Sequence, residues 1–146
     1  MIAAIYAPRQ LREGIVPLIR IDMIRGKPPE HRAAVCDTIY KTVRDVLGVL
    51  ACDRNIVITE CEPDNLDIAP EFLGVRRSSE AMLVQITLNE GHTIEQKQGL
   101  YVATVEALHQ QVGLRREDVI ISLIEVKKEN WSFGNGMAHY VEASPL

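Results

Sequence analysis

Apolar and polar positions alternate along residues 17–24, PLIRIDMI, which predicts a first β-strand. Gly26, Pro28 and Pro29 then punctuate the chain, and Pro29 suits the first turn of a helix. Val35, Ile39, Val43, Val46 and Leu47 recur at helical spacing, and Gly48 is placed to end that helix. The β-branched run from Asn55 to Thr59 predicts a second strand. Residues 62–80, with Pro63, Pro70, Gly74 and the basic pair Arg76 and Arg77, look like a long loop. A strand over 82–88 follows, MLVQITL. Thr93 is then a candidate N-cap for a helix that runs to about Gln111, with Leu100, Thr104, Ala107 and Leu108 facing inward and Gly113 at its end. A fourth strand is expected over 119–126, VIISLIEV, and the tail NWSFGNGMAHYVEA is turn-rich with a short strand-like end.

The two strand-helix-strand segments, about 17–61 and 82–126, are copies of one another. The offset is 82 − 17 = 65, and at that single shift eight positions between 17 and 60 are identical without a gap. They include Gly26 and Gly91, Gly48 and Gly113, Asp53 and Asp118, and Glu60 and Glu125. Average residue frequencies would give roughly two or three such matches. An internal duplication follows. Right-handed crossovers make each unit a parallel pair, so two units predict an α/β (α+β) domain: a four-stranded sheet with both helices on one face. Apolar strands then need a cover on the other face, which predicts an oligomer. The first copy starts at Pro17, so residues 1–16 fall outside the repeat, and 17–146 is expected to be one domain.

A length of 146 residues, 47% apolar and 25% charged, suits that single core. The net charge of −4 offers no basic footprint for nucleic acid. Cys36, Cys52 and Cys61 lack metal-type spacing and suggest free thiols. No run approaches the roughly 18 apolar residues of a membrane helix, and the start has no basic region of the secretory kind. The expected location is cytoplasmic, with no metal and no membrane partner.

A duplicated unit that opens PLIRID resembles the tautomerase superfamily, whose members use an amino-terminal proline as acid or base. The likeness is to its long-chain members, the malonate semialdehyde decarboxylase group. It rests on PLIRIDMIRG at 17–26, LGVLACDR at 47–54, LGVRRSS at 73–79, IEQK at 94–97 and NWSFGNG at 130–136. Together these motifs span nearly all of 17–146, and the last is the most specific. The resemblance implies a β-α-β fold repeated twice, a homotrimer, no cofactor and a small oxo-acid substrate.

Proline inside a chain is a tertiary amide without a basic nitrogen. At a chain terminus it is a secondary amine in the range of a free α-amino group, roughly 7.7–8.0, lowered further by burial. That suits proton transfer at carbon beside a carbonyl. Pro17 can do this only if residues 1–16 are absent. Val16 can be encoded by the alternative start codon GTG, and Arg12-Glu13-Gly14 is what a purine-rich ribosome-binding site yields when translated. Residues 1–16 are therefore expected to be a non-native extension.

The resemblance also implies roles for other positions. Asp53 matches the aspartate that polarises water or orients substrate, and Arg77 matches the arginine of a G-x-x-R-S pattern that binds a carboxylate. Trp131 and Phe133 match the aromatic wall of the pocket. Where the decarboxylase carries two arginines ahead of the second helix, this chain has Glu90 or a neighbour and His92. Histidine is mostly neutral at pH 7 and does not replace two fixed charges. His92 is expected to donate to the ligand, and the departure favours a tautomerase over a decarboxylase. His31, His109 and His139 are expected to be surface or packing residues. The expected activity is proton shuttling by Pro17 on a 2-oxo acid or its enol. The alternatives are decarboxylation or hydration of a 3-oxo or unsaturated acid, and a non-catalytic trimeric binding protein if Pro17 stays an amide.

Overall fold

The computed structural model describes residues 17–48 and 54–142. Its strands are β1 (Leu18–Ile24), β2 (Ile56–Cys61), β3 (Glu71–Phe72), β4 (Val75–Arg76), β5 (Met82–Asn89) and β6 (Val119–Val126). Its helices are α1 (Pro29–Leu47), α2 (Ile94–Val112) and the short α3 (His139–Glu142). The main sheet has the order β2-β1-β5-β6. β1 is parallel to β2, β5 is parallel to β6, and β1 runs antiparallel to β5.

The duplication holds to the residue. Shifting α1 by 65 gives the bounds of α2, since 29 + 65 = 94 and 47 + 65 = 112. Ile19 pairs with Ile56 in the first unit and Val84 with Ile121 in the second, the same register after the same shift. Arg20 lies opposite Gln85 across the central strands, and 20 + 65 = 85, so the local two-fold axis passes through that pair. The ion pair of Arg32 with Glu60, 3.2 Å, recurs as Lys97 with Glu125. Both helices stop at glycines in the left-handed region, Gly48 at φ 73° and Gly113 at φ 78°, a conformation that disfavours residues with a Cβ. Their starts differ. α1 opens on Pro28 and Pro29 without a side-chain cap, whereas Thr93 and Gln96 form a reciprocal capping box on α2.

The helices lie against each other and on one face of the sheet. Ile19, Ile21 and Met23 of β1 and Met82, Val84, Ile86 and Leu88 of β5 point at them. Val35, Ile39, Val43, Leu100 and Leu108 meet these strands from the helices, and all are buried. Each such side chain contributes roughly 1.5–3 kcal/mol through removal from water. Period-two alternation sends the intervening residues to the opposite face, which stays open. Its rows read Val57, Arg20, Gln85, Ser122, then Leu18, Thr87, Ile124, then Thr59, Asp22, Leu83, Ile120. Val57 and Ile124 are 44% and 41% exposed.

Two expectations need correction. Residues 62–80 are not all loop: a 3₁₀ turn at Pro63–Asn65 and the hairpin β3–β4 lie within them. Two-residue strands are too short to show alternation, and the hairpin turns through Leu73 and Gly74, both at positive φ. The chain end is not strand-like, because His139–Glu142 is helical. Cys36 and Cys61 are free thiols, whereas Cys52 lies outside the described residues.

Candidate functional site

The strand directions decide which residues can meet. The start of β1, the approach to β2 and the ends of β5 and β6 share one end of the sheet. Pro17 is buried there, one residue before Leu18, which pairs with Thr87. Extending that register by one residue sets Pro17 opposite Leu88, beside Asn89. The Ile19 N–H donates to the Asn55 carbonyl at 2.9 Å, which ties the start of β1 to the approach of β2. Asp53, two residues earlier, lies outside the described residues.

The turn from β5 to α2 shapes the same end. Gly91 takes φ 118°, a turn that only glycine adopts freely. The Glu90 N–H donates to the Val126 carbonyl at 3.0 Å. Glu125 of β6 braces the turn. Its carboxyl is held below the usual carboxylate range, first by its bond to Lys97 against the opposing effect of burial, with the Gly91 N–H and His92 adding to the same side. His92 is half-buried, and its Nδ1 is buried without a hydrogen-bond partner among the described residues.

The tail after β6 closes over this end. The Trp131 Nε1–H donates to Asn89 Oδ1 at 2.6 Å, and Asn89 is 1% exposed. Phe133 stacks on Trp131, with centroids 5.3 Å apart and planes 16° apart, and meets Tyr140 edge-on at 5.4 Å. The Phe133 N–H donates to His139 Nδ1 at 3.1 Å, so His139 is a packing residue. His109 likewise packs, with Nδ1 2.7 Å from the Leu114 carbonyl oxygen.

Pro17, His92, Trp131 and Phe133 thus share one end. Arg77 does not join them within the chain. It follows β4 at the opposite end of the sheet, where its N–H donates to the Pro70 carbonyl at 2.8 Å and its Nη1 to the Ala69 carbonyl at 3.1 Å. The next residue, Ser78, is bonded to Asp118 at the start of β6. Asn89 escaped the sequence reading, because a polar residue closing a strand carries no pattern. Only its bond to Trp131, 42 positions away, marks it. Among the described residues no group of three or more His, Cys, Asp or Glu side chains could hold a metal ion, and no helix is long and apolar enough to cross a membrane.

Two family models of tautomerase enzymes match the chain, one over residues 53–134 and one over 17–76, the latter beginning at Pro17. The chain is 32% identical over 127 residues to the probable tautomerase YusQ of Bacillus subtilis, a match that spans 87% of this chain and 100% of that protein. A malonate semialdehyde decarboxylase inhibited by 3-bromopropiolate is similar in structure, with a TM-score of 0.80 and 33% identity over 86% of this chain and 95% of that one. A second malonate semialdehyde decarboxylase structure, which addresses decarboxylase and hydratase activities, gives a TM-score of 0.79 and 28% identity over 86% of this chain and 97% of that one.

Proposed function

This chain belongs to the tautomerase family, and on that premise we propose that it shuttles a proton on a small 2-oxo acid or its enol, with Pro17 as the working base. The observation that carries the proposal is the placement of buried Pro17 at the sheet end shared with His92, Trp131 and Phe133. The match that begins at Pro17 supports it. So does the length: residues 17–146 number 146 − 16 = 130, close to the 127 that span all of YusQ.

In this mechanism the chain that works begins at Pro17, so that its nitrogen is a secondary amine. The nitrogen takes the C3 proton of a 2-oxo acid. The electron pair moves into a C2–C3 double bond, and the C2 oxygen becomes the enol oxygen, protonated from His92 or water. The reverse path returns the proton to C3. Burial against apolar groups disfavours the charged amine and leaves it unprotonated, free to accept a proton, near neutral pH. Trp131 and Phe133 wall off water, and Asp53 orients substrate or water. The amine and the imidazole supply the proton transfers, so the step calls for no cofactor.

The open, half-apolar sheet face supports assembly into a homotrimer. Arg77 would then act on a neighbouring subunit's site rather than its own. A second reading, decarboxylation or hydration of a 3-oxo acid, is favoured by the likeness to the malonate semialdehyde decarboxylases. His92 and Glu90 or a neighbour, where the resemblance implies two arginines, weigh against it.

The test compares chains starting at Met1 and at Pro17 for keto–enol exchange of phenylenolpyruvate and for carbon dioxide release from malonate semialdehyde. Exchange by the Pro17-started chain alone, lost by about 10²–10⁴-fold in Pro17→Ala, is expected. Equal exchange by both chains, or none by either, refutes the proline mechanism. Carbon dioxide release without exchange selects the second reading.

A further inference from the structure

We propose that the carboxamide of Asn89 recognises the oxo or enol oxygen of the substrate, as a neutral hydrogen-bond donor; this rests on the 2-oxo acid reading above. Indole N–H is a donor only, so its 2.6 Å contact fixes Oδ1 of Asn89 toward Trp131 and turns Nδ2 away from it. Nδ2 is buried and has no acceptor among the described residues, although the residue is 1% exposed. A buried amide donor without an acceptor is costly, and native structures rarely keep one without a reason. Asn89 ends β5 on the strand adjoining the start of β1, next to the residue opposite Pro17. An acceptor that meets Nδ2 there therefore lies at the sheet end where β1 begins at Pro17.

Three residues on, His92 Nδ1 is also buried without a partner. Two orphaned polar atoms, an amide nitrogen and an imidazole nitrogen, thus lie at one end of the sheet and flank the left-handed turn at Gly91. Neutral donors suit a carbonyl or enol oxygen, whereas a second carboxylate would need the fixed charge of arginine or lysine. The pair therefore sets the substrate class as acids with one carboxylate and one adjacent oxo group. Trp131 acts through Asn89 as a positioning residue, by fixing which end of the carboxamide faces the ligand.

Asn89→Asp keeps an oxygen for Trp131 and keeps the volume, but replaces the donor by an acceptor. Calorimetry on Pro17-started chains would compare phenylpyruvate with 3-phenylpropionate, which lacks only the oxo group. The unaltered protein is expected to prefer phenylpyruvate by about tenfold, the worth of one hydrogen bond to a buried donor. Asn89→Asp is expected to erase that preference. If Asn89→Asp does not fold, Trp131→Phe serves, since it frees the carboxamide to flip and should lower the preference severalfold. Should the preference persist in the folded variant, or the unaltered protein show none, the assignment of Asn89 is wrong. Preferential binding without keto–enol exchange would leave Asn89 in place and overturn the proton-shuttle reading instead.

Discussion

Ser78 holds Asp118 twice: its N–H donates to Oδ1 at 2.7 Å and its hydroxyl to Oδ2 at 2.6 Å. Asp118 is the repeat mate of Asp53, since 53 + 65 = 118, and Met82 likewise stands where Pro17 stands in the first unit. The loop ahead of β5 thus satisfies the carboxylate at the far end of the sheet. Asp118 is 2% exposed and also accepts from Arg115 Nη1 at 3.3 Å. Ser78→Ala removes a charge-assisted bond from a buried carboxylate and is expected to cost about 2 kcal/mol. Urea unfolding at fixed protein concentration reads this directly, and an unchanged midpoint would show the bond to be dispensable.

Thr104 is wholly buried and its hydroxyl has no partner among the described residues. Thr42 of α1, by contrast, donates to the Thr38 carbonyl at 2.8 Å. The repeat mate of Thr104 is Ile39, a core residue, since 39 + 65 = 104. Thr104→Val keeps the shape and removes the unsatisfied hydroxyl. It is expected to stabilise the protein by about 1 kcal/mol. A loss of stability in urea would reveal a partner for the hydroxyl.

Stability should decline toward acid pH in two stages. Burial, aided by the Lys27 charge and opposed by Glu80, lowers the pKa of His31 from 6.5. The folded state therefore binds fewer protons than the unfolded one, so this contribution is complete above about pH 6.5 and is lost as pH falls through the depressed value. Glu125, lowered from 4.5 chiefly by its bond to Lys97, has the same sign and acts below about pH 4.5. In His31→Gln the difference in stability between pH 7 and pH 5 should shrink. An identical difference in both proteins would discount His31 as the first stage.

The open sheet face predicts the response of assembly to charge. Val57 and Ile124 are exposed in the single chain, so a lysine at Ile124 does little to the fold of one subunit. Placed on a face that packs against other copies, it would leave a buried unpaired charge. Ile124→Lys is expected to convert a trimer to monomers in analytical ultracentrifugation. A monomeric unaltered protein, or a variant that stays trimeric, would remove this face from the interface.

The sequence by itself settled the architecture, because the duplication repeats every local signal that builds it. Gly26 and Gly91 mark both turns, Gly48 and Gly113 end both helices, and the period-two strands carry one register after a shift of 65. Those signals act over a few residues, so they can be read along the chain. The hairpin β3–β4 could not be read, because two-residue strands hold no period, and α3 has a single turn. The site divided the same way. Pro17, His92, Trp131 and Phe133 could be named from the chain, yet their placement at one end of the sheet depended on β1 and β5 running antiparallel. That same direction carries Arg77 to the far end, where its N–H and Nη1 donate to the Pro70 and Ala69 carbonyls. Asn89 and Ser78 emerged only in three dimensions, because their partners lie 42 and 40 residues away and a hydrogen bond leaves no periodic trace in the sequence.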